Sequence, residues 1–190
     1  MLIVYHENNE VSSVYDLDSE SIIVIKSKKL VKCLQELSSV FDDKLIIWCH
    51  VSQKDNLALD LFPEIFHHQK IMASFNGRLN YLPESIGYVE DSVFVNVNKL
   101  KRYPTWQMSS TIGGVFSSVL RTLGTENFTE KSFDYFLLSI AKQLMKEGLQ
   151  VYSEPRLLLA NSKDYCLKQA KITTLFKFVR QHYKPAWVFL

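Results

Sequence analysis

Leu45-Ile46-Ile47-Trp48-Cys49 is a run of five apolar residues without a polar break. A half-exposed strand alternates apolar and polar residues. An unbroken run suits a strand buried on both faces, as in a parallel sheet covered by helices. Just ahead, Leu30, Val31, Leu34, Leu37 and Phe41 keep a helical spacing, which predicts a helix over 28–41. Ile22–Ile25 is a short apolar segment before it. Strand, helix, strand over 22–49 reads as a βαβ unit and places the chain in the α/β class.

On the amino-terminal side, Leu2–Tyr5 and Val11–Tyr15 flank Asn8-Asn9, a pair that accepts turn geometry; the segment predicts a hairpin. Downstream, Asp55–Leu61 reads as a short helix stopped before Pro63. Lys70–Phe75 reads as a strand with a turn at Asn76-Gly77, and Val93–Val97 as another strand. Ser109 or Ser110 is placed to cap a helix through 115–123, ended by Gly124. Thr129 is placed to cap the longest helix, 130–147, ended by Gly148; Phe133, Phe136, Leu137, Ile140, Ala141 and Leu144 form its apolar stripe. Leu149–Tyr152 is a strand.

The 190 residues are 47% hydrophobic, which excludes a disordered chain and suits one buried core. No apolar run is long enough for a membrane-spanning helix, and the start of the chain lacks the pattern of a secretory signal. Three cysteines, Cys33, Cys49 and Cys166, are odd in number and far apart, as expected in a reducing cytoplasm. The charge is uneven: residues 163–190 hold six basic residues and one acid, while the rest carries an acidic excess. Nucleic acid is therefore not an expected partner of the body.

Thr111–Leu159 has a recognisable grammar: Gly113-Gly114, then Leu123-Gly124, Phe128, an amphipathic helix, and Lys146-Glu147-Gly148-Leu149-Gln150-Val151-Tyr152-Ser153-Glu154-Pro155. This resembles the carboxyl-terminal half of family 2 glycosyltransferases. The resemblance implies a GT-A-like, nucleotide-diphosphosugar transferase fold over residues 1–160: an α/β sheet flanked by helices, followed by a basic amphipathic helical tail over 161–190. A second set of signatures looks like an amino-terminal segment found ahead of the catalytic domain in some bacterial family 2 glycosyltransferases. It comprises Leu2-Ile3-Val4-Tyr5-His6-Glu7-Asn8-Asn9, Gly87-Tyr88-Val89-Glu90-Asp91-Ser92, Tyr103-Pro104-Thr105-Trp106-Gln107-Met108-Ser109-Ser110, Phe133-Asp134-Tyr135-Phe136-Leu137 and Tyr152-Ser153-Glu154-Pro155. The chain stops inside the apolar Pro185-Ala186-Trp187-Val188-Phe189-Leu190, as a piece of a longer enzyme would.

The resemblance implies transfer of a sugar from a nucleotide-sugar to a glycan or lipid-linked acceptor, with Mn or Mg as the metal. Its alternative is a non-catalytic docking domain of a larger membrane-associated glycosyltransferase. The literal Asp-x-Asp of this chain, Asp16-Leu17-Asp18, comes early, and counting back from Gly148 to the family's base lands on Phe136 and Leu137, with Asp134 two residues earlier. Glu90, Asp91 and Asp134 are then the candidate catalytic carboxylates. Glu90-Asp91 suits a cation or an acceptor proton, and equally a solvated turn.

Trp106, Gln107, Ser109 and Ser110, with Arg102 just before them, are the candidate substrate-binding residues. An aromatic ring beside amphipathic donors suits a base or sugar ring, or else the covering of one end of the core. Lys99, Lys101 and Arg102 suit a diphosphate or plain solvation. His6, His50 and His67-His68 read as ordinary hydrogen-bonded histidines. Ile172, Leu175, Phe176, Val179 and Tyr183 fall at helical spacing, with Lys177, Arg180 and Lys184 off that stripe and Trp187 beyond. Residues 172–187 therefore read as a helix that either lies on the anionic inner face of a membrane or packs on the domain.

Overall fold

The structure, a computed structural model, describes residues 1–75, 81–83, 98, 100–159 and 169–183. It is an α/β fold: a mixed eight-stranded sheet flanked by helices. The strands are β1 (Leu2–Glu7), β2 (Glu10–Asp16), β3 (Ser21–Ile23), β4 (Leu45–His50), β5 (Ile71–Phe75), β6 (Tyr103–Pro104), β7 (Ile112–Phe116) and β8 (Gln150–Ser153). The helices are α1 (Leu30–Val40), α2 (Phe62–Ile65), α3 (Ser117–Arg121), α4 (Phe133–Leu144) and α5 (Ile172–His182). The strand order is β3-β2-β1-β4-β7-β5-β8-β6. β1 and β4 pair in parallel, as do β5 and β8, and β7 lies antiparallel between β4 and β5. β1, β3, β4, β5 and β8 thus run one way, and their carboxyl ends share one edge.

The β1–β2 hairpin forms as expected: Asn8 and Asn9 both take positive φ, 51° and 65°, the backbone a tight hairpin turn needs. β4 is buried on both faces. Trp48 and Ile46 point with Leu2, Val4, Met72, Val115 and Val151 into the core under α1, α3, α4 and α5. Ile47 and Cys49 point the other way with Ile3, Ile71, Ala73 and Ile112, against Phe62, Ile65 and Phe66 around α2 and against Leu157 and Leu158. The βαβ unit is present, but β3 and β4 are not neighbours; the hairpin strands β2 and β1 fill the space between them.

Four expectations need correction. The segment after Ser109-Ser110 is a strand before it is a helix: residues 112–116 are β7, and α3 is only five residues long. β7 runs between β4 and β5, where a Cβ on Gly113 would meet the Trp48 ring and lie 2.6 Å from the Ala73 carbonyl, and one on Gly114 would meet Ile47 and Phe66. The glycine pair exists to let large neighbours close over the strand. The long helix is capped by Ser132, whose side chain accepts the Tyr135 N–H, rather than by Thr129; it ends at Leu144, and a 3₁₀ turn over 145–147 follows, closed where Gly148 turns left-handed at φ 91°. Residues 51–61 form two 3₁₀ turns, and Pro63 sits inside the first turn of α2 instead of ending a helix. β3 stops at Ile23, leaving Val24 exposed. The expected turn at Asn76-Gly77, the strand Val93–Val97 and residues 184–187 of the tail lie outside the described residues.

Candidate functional site

In open α/β sheets ligands bind beyond the carboxyl ends of parallel strands, where side chains from several strands converge. Here the chain's own segment 105–111 starts beside the middle of β8 and reaches that edge with residues 109–111. The Thr105 N–H donates to the Val151 carbonyl at 3.0 Å, and the Ser109 N–H to Ser74 Oγ at 2.9 Å. The Ser109 carbonyl accepts Trp48 Nε1–H at 2.8 Å, the Ser110 carbonyl accepts His6 Nε2–H at 2.8 Å, and the Thr111 carbonyl accepts the His50 N–H at 2.8 Å. These contacts step from β8 across β5 and β4 to β1. Thr105, Trp106, Met108, Ser109, Ser110 and Thr111 are all buried.

Of the candidate substrate-binding residues, Trp106, Ser109 and Ser110 are buried in this segment, Gln107 is half-buried, and Arg102, just before it, is exposed. Trp106 takes the second of its two expected places, covering the core: it is 4% exposed and stacks on Phe178 of α5. Ser109 Oγ donates to Thr111 Oγ1 and accepts the Thr111 N–H, which fixes the turn into β7. The Gln107 N–H donates to Thr105 Oγ1. Arg102 lies over the Tyr152 ring at 4.0 Å, with Nε 3.8 Å from Glu154. Glu90 and Asp91 lie outside the described residues.

Asp134 sits in the first turn of α4 and is brought to this edge. Its Oδ1 accepts the Ser110 N–H at 3.3 Å, and burial raises its pKa against those hydrogen bonds. The same Ser110 peptide thus joins two groups: Asp134 on its N–H side and His6 on its carbonyl side. A register shift in β1 between Tyr5 and His6 helps aim the histidine. Because Nε2 must donate to a carbonyl, His6 carries its proton there, and Nδ1 is buried without a partner. Burial pushes its pKa down to about 4, opposed by the Ser110 carbonyl and helped by nearby His50. The His50 ring is 5.6 Å away, edge-on, and its Nδ1 accepts the Ser52 N–H.

The literal Asp-x-Asp lies at the opposite, amino-terminal edge of β1. Asp18 binds the Met1 ammonium at 2.6 Å and Lys44, and these hold its carboxyl down to about 2. Asp16 is 3.6 Å from the same ammonium. Among the described residues no three His, Cys, Asp or Glu side chains converge as a metal site needs.

Sequence reasoning missed the cluster around Glu154, which is fully buried. Arg156 grips it through Nε at 3.0 Å and Nη2 at 2.9 Å, and reaches Glu64 with Nη1 at 2.6 Å. The signal was present in Glu154-Pro155-Arg156, where a carboxylate and a guanidinium lie two residues apart around a proline. No protein-family model matches the chain, and no match was found among curated proteins or solved structures. No helix among the described residues is long and apolar enough to cross a membrane.

Proposed function

We propose that this chain is a GT-A-like domain of the family 2 glycosyltransferase type, serving as a non-catalytic docking domain of a larger, membrane-associated bacterial enzyme. The observation that carries this reading is the filled edge: residues 109–111 lie across the carboxyl-terminal parts of β5, β4 and β1, where a transferase would receive its nucleotide-sugar. Trp106, Ser109 and Ser110 stabilise the fold there and offer a ligand little surface. The membrane partner of the proposal, on the inner face, would meet α5, where Ile172 and Phe176 remain exposed beside Lys171 and Arg180.

A second reading, transfer of a sugar by this chain itself, is favoured by one feature. Asp134 is a half-buried carboxylate at the carboxyl edge whose pKa is raised by desolvation, the environment of a general base. Isothermal titration with UDP- and GDP-sugars in manganese separates the two. The docking reading expects no heat beyond that of the free nucleotide. Saturable heat that needs both the sugar and manganese, and falls with Asp134→Asn, supports transfer and overturns docking.

A further inference from the structure

A cavity of about 380 Å³ opens where the β1–β2 turn meets the start of α1 and the loop before α4. Its volume lies in the range of small-molecule sites. Lys29, Lys32 and Lys131 line it from two separate segments, together with Glu10 and Glu130. Glu130 is already neutralised: it receives Lys177 Nζ at 2.7 Å and the N–H groups of Lys131 and Ser132. Glu10 is the other carboxylate of the lining, against exposed Lys29 and Lys131 and against Lys32, whose Nζ donates to Gln35 Oε1 at 3.3 Å. This local positive excess stands out in a body that is acidic before residue 163.

The backbone adds to it. Asn9 accepts the Leu30 N–H on its carbonyl at 3.1 Å and the Phe133 N–H on its side-chain oxygen at 2.9 Å. The amino ends of α1 and α4 thus meet at one turn. α4 has a capping Ser132 and an acid in its first turn; α1 has neither. The positive end of α1 is left uncompensated beside the lysines.

We infer that this cavity binds a phosphate-bearing small molecule, the phosphate resting among Lys29, Lys32 and Lys131. The inference is independent of the glycosyltransferase reading: it needs no divalent cation and does not involve Asp134 or the carboxyl edge.

The test is titration of the full chain in EDTA at low salt with inorganic phosphate, pyrophosphate, UDP, and vesicles containing phosphatidic acid. Saturable binding of pyrophosphate or UDP is expected, weakening with salt and falling about tenfold or more in Lys32→Glu/Lys131→Glu. Asp134→Asn should bind as the parent does. Lys26→Glu/Lys70→Glu carries the same charge change away from the cavity and should retain binding. Preference for UDP over pyrophosphate identifies a nucleotide; binding of vesicles alone identifies a lipid headgroup. No saturation up to about 10 mM of any soluble probe and none with vesicles overturns the site. Equal loss in the two double variants also overturns it, because general charge would then explain the binding.

Discussion

Trp106 and Phe178 stack with ring centroids 4.9 Å apart and planes 14° from parallel. One residue belongs to the segment between β6 and β7 and the other to α5, so this pair fastens the last described helix to the sheet. Phe178 also meets Tyr135 edge-on at 6.0 Å and the His182 ring at 4.5 Å. Both stacked rings are buried, and Trp106→Ala should therefore destabilise the fold by about 3–5 kcal/mol. Chemical denaturation measures this. A loss under about 1 kcal/mol would place Trp106 on a surface and reopen it as a ligand platform.

His6 makes stability depend on pH. Its folded pKa is near 4 against an ordinary 6.5, so the unfolded chain takes up the proton first as pH falls. The stabilisation is complete above about pH 6.5, shrinks as pH drops toward 4, and amounts to about 3 kcal/mol. His182 is shifted the same way, by burial and then by Lys146 and Lys142, and adds to the slope. His6→Gln keeps a donor for the Ser110 carbonyl but cannot titrate. Its unfolding free energy should be flatter than the parent's between pH 7 and 4.5; parallel curves would remove His6 as the cause.

The elements legible in the sequence are those whose pattern is local. Asn8-Asn9 announces the hairpin, the apolar run of β4 announces double burial, and the stripe of α4 announces a helix. β7 was missed because glycines carry no side chain to alternate, and the groups that demand glycine, Trp48 and Ile47, are distant in sequence. The place of Trp106 was undecided for a related reason: its loop composition suits a ligand ring as well as a core cover, and its partner Phe178 is seventy-two residues away. The link between Asp134 and Ser110, and the grip of Arg156 on Glu154, depend on how the sheet brings segments together.

The glycine pair of β7 should tolerate no Cβ. At Gly113 the added carbon would lie 2.6 Å from the Ala73 carbonyl oxygen and 2.7 Å from Ser74 Cβ, both in the neighbouring strand. Gly113→Ala is expected to cost about 3 kcal/mol, the upper end for overpacking, because backbone must move. Gly148→Ala meets open space but keeps a positive φ, and should cost about 1 kcal/mol. Equal melting temperatures for the two variants would contradict the close packing of β4, β7 and β5.

Arg156 neutralises a carboxylate with no exposed surface. Removing it by Arg156→Ala leaves Glu154, among the described residues, with Arg102 at 3.8 Å as its remaining cation, and should destabilise by about 3 kcal/mol. Arg156→Lys keeps the charge but loses the two-pronged grip, and should recover only part of the loss. Restoration by Glu154→Gln in the Arg156→Ala background would show that the orphaned charge, and not lost packing, carries the effect.

α5 separates the two fates expected for the basic tail. Leu175, Phe178 and Val179 are fully buried against the domain, and Lys177 is held by Glu130 at 2.7 Å and lies 4.1 Å from the Tyr135 ring centre. Half of the apolar stripe and one of its cations are thus engaged internally. Ile172 at 44% and Phe176 at 39% exposure form the row left outward, one turn apart and continued by Arg180. Leu175→Asp should unfold the helix from the sheet, whereas Ile172→Asp/Phe176→Asp should leave the melting temperature within about 1 kcal/mol equivalent of the parent. Attraction to anionic lipid is about 1 kcal/mol per basic residue near the surface and is screened by salt. Co-sedimentation with phosphatidylserine vesicles should therefore be weak, lost at high salt, and abolished by Ile172→Asp/Phe176→Asp. Equal sedimentation with neutral vesicles, or none with either, would remove the membrane as the partner of this helix.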